Sequence, residues 1–409
     1  MKSTGEIMEA YVIDAVFTPR ASVRKSTSAY SAVHPQELVA SCFRSLRERQ
    51  PEPYAEASSA YVGCVSQVND QGANLARNAV LAAGMPQTVA AATINMCCGS
   101  GLETVNLAAA CLSAGSERMI VAGGVESMSR VRMASDGGGM DGNNESLRRQ
   151  LFQVPQGISA DFIATSEGIG RTELEQFALA SHRKASKARK DGYFQSAFAC
   201  VRGEKGETLL SEEDHIRDDA SLAAMQQLPP AFAELGAQLS LAGVISENSP
   251  LGKIEHVHTA ATSSGIADGA AALLLASGSL VKELNLKPRA RIIATRSRGS
   301  DPISMLTGPA DCCTDLLKSC GMTVKDVQLW EINEAFAAVP LQTIRRLGIS
   351  SDQVNIAGGA IARGHPLGAT GAILLTSLIT ELEREDLSVG CVVLCVAGGQ
   401  SVATLVQRC

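Results

Sequence analysis

A repeated order of elements limits what this chain can fold into more than any other feature. Strand-like Thr88 to Asn95 leads through a Gly/Ser turn at Gly99 to Gly101 into a helical stretch from Leu102 to Ala114, and then into the strand-like run from Arg118 to Gly124. In the last third, strand-like Val354 to Gly359 leads through a Gly-rich turn into a helical stretch from Gly371 to Arg384 and a strand-like run from Cys391 to Gly399. Both closing runs finish on one tetrapeptide, Val121-Ala122-Gly123-Gly124 and Val396-Ala397-Gly398-Gly399. Short apolar runs alternating with alanine-rich helical ones predict an α/β fold, and the recurrence predicts a duplicated α/β unit. Coincidence is the competing reading, because short Gly-rich turn strings are common.

A chain of 409 residues is too long for one ordinary core and predicts two or three packed units. Tyr11 to Val16 reads as a further strand, and Pro35 to Arg49 and Ala73 to Gly84 as helices. The halves are placed at residues 1–278 and 287–409. Roughly from Ser127 to Glu255 the texture changes to Gly, charge and isolated polar residues, with one clear helix from Thr172 to Asp191. Such a loop-rich insert usually sits over a site.

Composition excludes several functions. Hydrophobic residues at 45% and charged residues at 19% suit a compact folded protein. The net charge of -6 comes without a basic run longer than a few residues, so no nucleic-acid partner is expected. The longest apolar run, around Ala270 to Val281, falls short of the roughly 18 residues of a membrane span. The apolar stretch near the N-terminus is short and broken by Asp14, unlike a secretory signal, and Gln407-Arg408-Cys409 is not an SKL-type address. Twelve cysteines without CxxC pairs read as reduced thiols in a cytoplasmic setting.

Four strings carry chemistry. Asn95-Met96-Cys97-Cys98-Gly99-Ser100-Gly101 lies at a strand end and opens a helix, where unpaired N–H groups and the helix dipole favour thiolate. In isolation both cysteines also read as packed hydrophobes. His365, one of six histidines, stands in the Gly-rich run Gly358 to Gly371, where backbone approaches a ligand closely and imidazole is the natural base. Cys395-Val396-Ala397-Gly398-Gly399 closes the last strand in the repeat position facing the first site, and Asn333-Glu334-Ala335-Phe336-Ala337 follows Trp330. Each alone is also readable as core or turn; together, in this order, they point to a site. His256-x-His258 and Cys391-xxx-Cys395 lack the companion pairs of a zinc site, so no metal is expected.

All four strings resemble signatures of the thiolase family, as do Gly63-Cys64-Val65-Ser66, Gly72 to Arg77 and Gly123-Gly124-Val125-Glu126-Ser127-Met128-Ser129. The resemblance implies a thiolase fold: a five-layered α-β-α-β-α core of two duplicated halves, with a loop domain at about 128–266 that holds coenzyme A. It implies Cys98 as the acylated nucleophile, His365 as its base and Cys395 as the second acid/base. It implies Asn333 as the holder of a water in one oxyanion site and the backbone N–H groups of Cys98 and Ala397 as the other. Arg217 and Ser264 match coenzyme A contacts, although Arg217 also reads as a solvated surface charge. An acyl-CoA is the implied substrate, coenzyme A or acetyl-CoA a reactant and not a permanently bound cofactor, and the assembly a homodimer or homotetramer.

The reaction implied is thiolytic cleavage of a 3-ketoacyl-CoA, with condensation of two acetyl-CoA as the alternative. A ketoacyl synthase would not need Cys395, and a non-catalytic acyl-CoA binder would not need the four residues together. The sequence departs from the family at Ala397 and Ser401, where glycine is common, at Pro155-Gln156, where acetoacetyl-specific members tend to show His-Met, and at Thr262, where Asn is frequent. The stretch from Ala233 to Glu255 is also longer than in biosynthetic acetoacetyl members. These differences point to a longer, branched or ring-derived acyl chain.

Overall fold

The computed structural model describes residues 9–241, 243–246 and 252–409. Residues 1–8, the start of the N-terminal stretch read above, and 242 and 247–251, inside the stretch from Ala233 to Glu255, lie outside the described residues. The first half runs β1 (Ala10–Phe17), α1 (Pro35–Arg49), β2 (Ser59–Gly63), α2 (Leu75–Ala82), β3 (Ala90–Ile94), α3 (Ser100–Ala114) and β4 (Met119–Ser127). An excursion then carries α4 (Gln156–Ser166), α5 (Arg171–Lys190) and α6 (Ala233–Leu241) before β5 (Ala267–Ser277) closes the half. The second half repeats the order with β6 (Ala290–Gly299), α7 (Pro309–Ser319), β7 (Leu329–Ile332), α8 (Ala338–Leu347), α9 (Leu367–Arg384), β8 (Val389–Val396) and β9 (Gln400–Arg408).

Strand order is β3-β2-β4-β5-β1-β6-β9-β8-β7, nearly a mirror about its middle. In each half the pairs formed by helix crossovers are parallel (β2 with β3 and β4, β7 with β8), and the last strand returns antiparallel. The halves join through β1 and β6 over only three residue pairs, Ala10 to Val12 against Ile292 to Ala290. Side-chain packing therefore holds them together.

That packing explains the layers. On one outer face Leu38, Phe43 and Leu46 of α1 and Leu75 and Val80 of α2 meet Val16, Val62, Val121 and Leu274. On the other, Cys312, Leu316 and Leu317 of α7 meet Trp330, Ile332, Val393 and Leu405. Between the halves, Leu102, Val105 and Leu112 of α3 and Ile373, Leu375 and Leu378 of α9 touch Ile120 and Leu273 on one side and Val392, Leu394 and Val406 on the other. Every residue from Leu367 to Leu382 in α9 is buried, as suits a helix that is apolar all round. Each such leucine or isoleucine contributes about 1.5–3 kcal/mol relative to exposure.

Two expectations need correction. Val354 to Gly359 is not a strand: Val354 makes a single parallel bridge to Trp330 of β7, and that bridge is all the second half keeps of a counterpart to β3. The reason is Asn355, which takes φ 46 and bonds its side chain to Ile332 N, Ile332 O and Glu334 Oε1. Asn tolerates that left-handed backbone, and the chain turns away after one pairing. Secondly, β4 does not finish at Gly124 but continues to Ser127.

Candidate active site

Cys98 sits in a turn that the sequence ties closely. The Asn95 side chain accepts the Cys97 N–H at 2.8 Å, Ser100 Oγ accepts the Met96 N–H at 2.9 Å, and Ser100 Oγ donates to Cys97 O at 2.6 Å. These bonds hold Cys97 at φ 45, a left-handed backbone that costs a non-glycine residue free energy and recurs at functional sites. The turn delivers Cys98 just ahead of α3.

His365 stands two residues before the facing helix, α9. A Cβ on Gly101 would lie 2.6 Å from Gly368 O, and one on Gly371 2.5 Å from Leu102 N, so α3 and α9 approach at backbone contact where both carry glycine. Glu126 fixes the same junction: its carboxylate accepts the N–H groups of Val65, Ser66 and Gly368 and one from the Gln71 side chain. His365 Nδ1 is 2.6 Å from Thr370 Oγ1, and that hydroxyl donates to Pro366 O at 3.1 Å. Nδ1 therefore carries the proton and Nε2 the lone pair. Asn333 Nδ2 lies 3.4 Å from Nε2, and Asn333 Oδ1 is buried without a protein partner among the described residues. An orphaned buried acceptor of this kind is a place for an ordered water.

Cys395 comes from the end of β8. The hairpin after it turns through Gly398 (φ 83) and Gly399 (φ 74), while Ala397 stays outside the left-handed region. Val396 Cγ2 would meet a Cβ on Gly99 at 2.8 Å, so the two cysteine turns abut. No hydrogen bond occupies the Cys98 or Ala397 N–H among the described residues. Both amides are free to act as donors.

Electrostatics correct one expectation. Burial raises the Cys98 thiol well above its ordinary value, and Cys395 is the neighbour that pushes it further most strongly. Desolvation opposes the thiolate that the helix N-terminus favours, because Cys98 is only 5% exposed. Burial likewise pushes Cys395 up to about 12. It lowers His365 to about 3, helped by the Arg20 guanidinium. Burial thus favours the neutral form of all three groups.

The coenzyme A candidates divide. Ser264 is half-buried, and its N–H donates to Ala335 O at 2.9 Å, beside the Asn333 turn. Arg217 is exposed, in a surface pocket with His182, Arg183, Lys187 and Lys190. Sequence reasoning missed Thr370, which fixes the His365 tautomer, although it stands in the same Gly-rich string. It also missed Arg20, which bonds Gly364 O at 3.1 Å next to His365 and shares Glu213 with Arg363 at 2.6 Å each. Among the described residues no cluster of three or more His, Cys, Asp or Glu could hold a metal ion, and no helix is long and apolar enough to cross a membrane.

The two cysteine turns that abut come from the two copies of a duplicated α/β unit. The sequence matches the thiolase N-terminal domain over residues 10–247 and the thiolase C-terminal domain over residues 286–408. It is 35% identical to a 3-ketoacyl-CoA thiolase of Serratia proteamaculans, covering 97% of this chain and 98% of that one. Against a 3-ketoacyl-CoA thiolase of Acinetobacter baylyi it is 35% identical over 98% of each. The crystal structure of the Bacillus anthracis acetyl-CoA acetyltransferase superposes with a TM-score of 0.84 at 31% identity, covering 98% of this chain and 99% of that one. The chain belongs to the thiolase family.

Proposed function

We propose that the protein is an acyltransferase that cleaves a 3-ketoacyl-CoA with free coenzyme A through an acyl-Cys98 intermediate. The observation that carries this reading is His365 Nε2 lying 3.4 Å from Asn333 Nδ2, with Asn333 Oδ1 buried and unpartnered among the described residues, and the Cys98 and Cys395 turns abutting, with Cys395 near enough to raise the Cys98 thiol. A neutral imidazole accepts a proton and a neutral thiol donates one, so both partners start in the required state. Cys98 sulfur attacks the 3-keto carbon as its proton passes to His365 Nε2. The C2–C3 bond then breaks, Cys395 protonates the departing acetyl-CoA enolate, and the acyl group remains on sulfur. Coenzyme A attacks that thioester, its thiol proton passes by way of the site's bases to the leaving Cys98, and a shortened acyl-CoA departs.

Negative charge forms on two oxygens in turn. The amides of Cys98 and Ala397 meet one, and an Asn333-bound water with His365 meets the other; each such donor typically lowers the barrier by roughly 3 kcal/mol. Ser264 lies along the pantetheine, and the Arg217 fork suits the phosphates farther out. Coenzyme A is a substrate, with no permanently bound cofactor. We take residues 1–278 and 287–409 as the two catalytic halves, with the loop domain at about 128–266, in a cytoplasmic homodimer or homotetramer.

Steady-state thiolysis over a panel of 3-ketoacyl-CoA chain lengths tests the reading. Turnover is expected, with longer chains preferred to acetoacetyl-CoA; no thiolysis on any member defeats it.

A further inference from the structure

The His256-x-His258 pair forms no metal site; it shares one carboxylate. His258 Nδ1 lies 2.8 Å from Asp161 Oδ1, and His256 Nδ1 lies 2.7 Å from Asp161 Oδ2. The same carboxylate accepts the N–H groups of Val257 at 3.1 Å and His258 at 3.0 Å. Burial opposes the charge on Asp161, but the bonds from His258 and His256 outweigh it and keep the carboxyl below its ordinary pKa. With Asp161 ionised, both Nδ1 atoms carry hydrogen and no Nδ1 lone pair is left for a metal.

The free lone pair of His258 is therefore on Nε2, and it faces Ala338, whose N–H donates at 3.4 Å. Ala338 is the first residue of α8, so its N–H is one of four that the helix cannot satisfy itself. The N-cap residue, Ala337, has no side chain to cap with. A fully buried histidine 80 positions earlier in the chain performs the capping instead. The same ring meets Phe336 edge to face with centroids 5.8 Å apart, and the carbonyl of His258 accepts the Ala231 N–H at 2.8 Å. Nearby, Ala337 N bonds Thr262 O and Ser264 N bonds Ala335 O, both at 2.9 Å. The segment from His258 to Ser264 thus grips the turn from Asn333 to Ala337, while Asn333 N is held from β8 by Val393 O at 3.0 Å.

We propose that Asp161 and His258 are positioning residues for the carbon–carbon bond step. Asp161 fixes the tautomer and orientation of His258, and His258 Nε2 with the ring face sets the turn that aims Asn333 at His365. The proposal rests on the reading of Asn333 as the holder of the oxyanion water for the acetyl-CoA enolate. That oxyanion arises only when the C2–C3 bond breaks, whereas transfer of an acyl group from Cys98 to coenzyme A uses the other pair of donors. A merely structural cap would affect both half-reactions alike.

The test uses the full-length protein as wild type, His258→Gln, His258→Asn and Asp161→Asn, with thermal midpoints measured alongside. Gln can keep an acceptor toward Ala338, and Asn can keep only a donor toward Asp161. One assay follows acetyl-CoA release on mixing with 3-ketoacyl-CoA; the other follows deacylation by coenzyme A of an acyl-enzyme loaded from a simple acyl-CoA. His258→Asn should slow acetyl-CoA release roughly tenfold or more and leave deacylation within about twofold, because small misplacements of catalytic groups are costly only to the step that uses them. His258→Gln should recover much of the release rate, and Asp161→Asn should fall between. Equal loss in both assays, or Gln no better than Asn, overturns the proposal. If His258→Asn does not fold, Asp161→Asn takes its place: slowed release with deacylation preserved supports the positioning role, and equal loss in both assays overturns it. A wild-type protein that forms no acyl-Cys98 defeats the proposed function instead.

Discussion

Val121 to Gly124 and Val396 to Gly399 are the same four residues on corresponding strands, yet the backbone treats them differently. In the first half the strand continues through both glycines to Ser127, and hydrogen is the only side chain that fits. A Cβ on Gly123 would lie 2.0 Å from Ala271 O, and one on Gly124 2.0 Å from Gly368 O at the start of α9. In the second half the strand stops at Val396, and Gly398 and Gly399 adopt left-handed backbone to make the hairpin beside Cys395. Glycine's small size serves the first copy and its freedom of φ the second. One half thus buttresses the helix that follows His365, and the other builds the rim that holds the second thiol and the Ala397 amide.

If the halves divide the work in this way, the largest effects come from exchanging their sulfurs. Cys98→Ser should abolish acyl-enzyme formation, because an alcohol at that position is a far weaker nucleophile. Cys395→Ser should still acylate from a simple acyl-CoA but lose turnover by roughly 10²- to 10⁴-fold, the usual worth of a positioned acid/base. Intact-protein mass spectrometry reads the adduct and a thiolysis assay the turnover. Equal loss of acylation in both variants would contradict the division.

Next in size are the glycines themselves. Gly124→Ala drives a methyl group into the backbone of α9 and should cost about 3 kcal/mol or more of stability. At Gly398 the nearest atom to a new Cβ is Gln153 Oε1 at 3.8 Å, so only conformation resists. Gly398→Ala should cost about 1–2 kcal/mol, the penalty of left-handed backbone for an L-residue, with a larger proportional loss of kcat as the Ala397 amide shifts. Denaturant unfolding of both variants decides. Equal destabilisation would mean that the two copies share one constraint.

The same contrast explains what sequence could reveal. Cys98, His365, Asn333 and Cys395 were legible as candidates because each stands in a short string at a strand end or in a Gly-rich turn, where local chemistry marks it. The strand expected at Val354 to Gly359 failed because apolar pattern says nothing of the φ that Asn355 adopts once its side chain binds Ile332 and Glu334. The helix start that favours a Cys98 thiolate is visible in sequence, but the desolvation that opposes it is not. Asp161 and His258 lie 97 positions apart, and Arg20 and Gly364 344 apart, so no spacing rule joins them. Thr370 is close enough to His365 to have been noticed, but its role depends on α9 beginning at Leu367, four residues before the expected start.

The smallest effect expected lies at Ala397, where relatives commonly carry glycine and this chain does not. If the first glycine of the family string were needed for its backbone freedom, alanine there would be strained, as it would be at Gly398. Ala397 is absent from the residues with positive φ, and it is only 6% exposed, in the hydrophobic cluster that also holds Cys395, Met305 and Ile361. The N–H that the oxyanion site uses is the same for either residue. Ala397→Gly should therefore leave kcat within about twofold and lower stability by about 0.4–1 kcal/mol, chiefly by loosening the unfolded chain. Steady-state kinetics and a denaturation curve on this single variant separate the two accounts. A large gain in kcat would mean that the methyl group hinders the rim, and that the second half is less free to vary than its neighbouring turn glycines suggest.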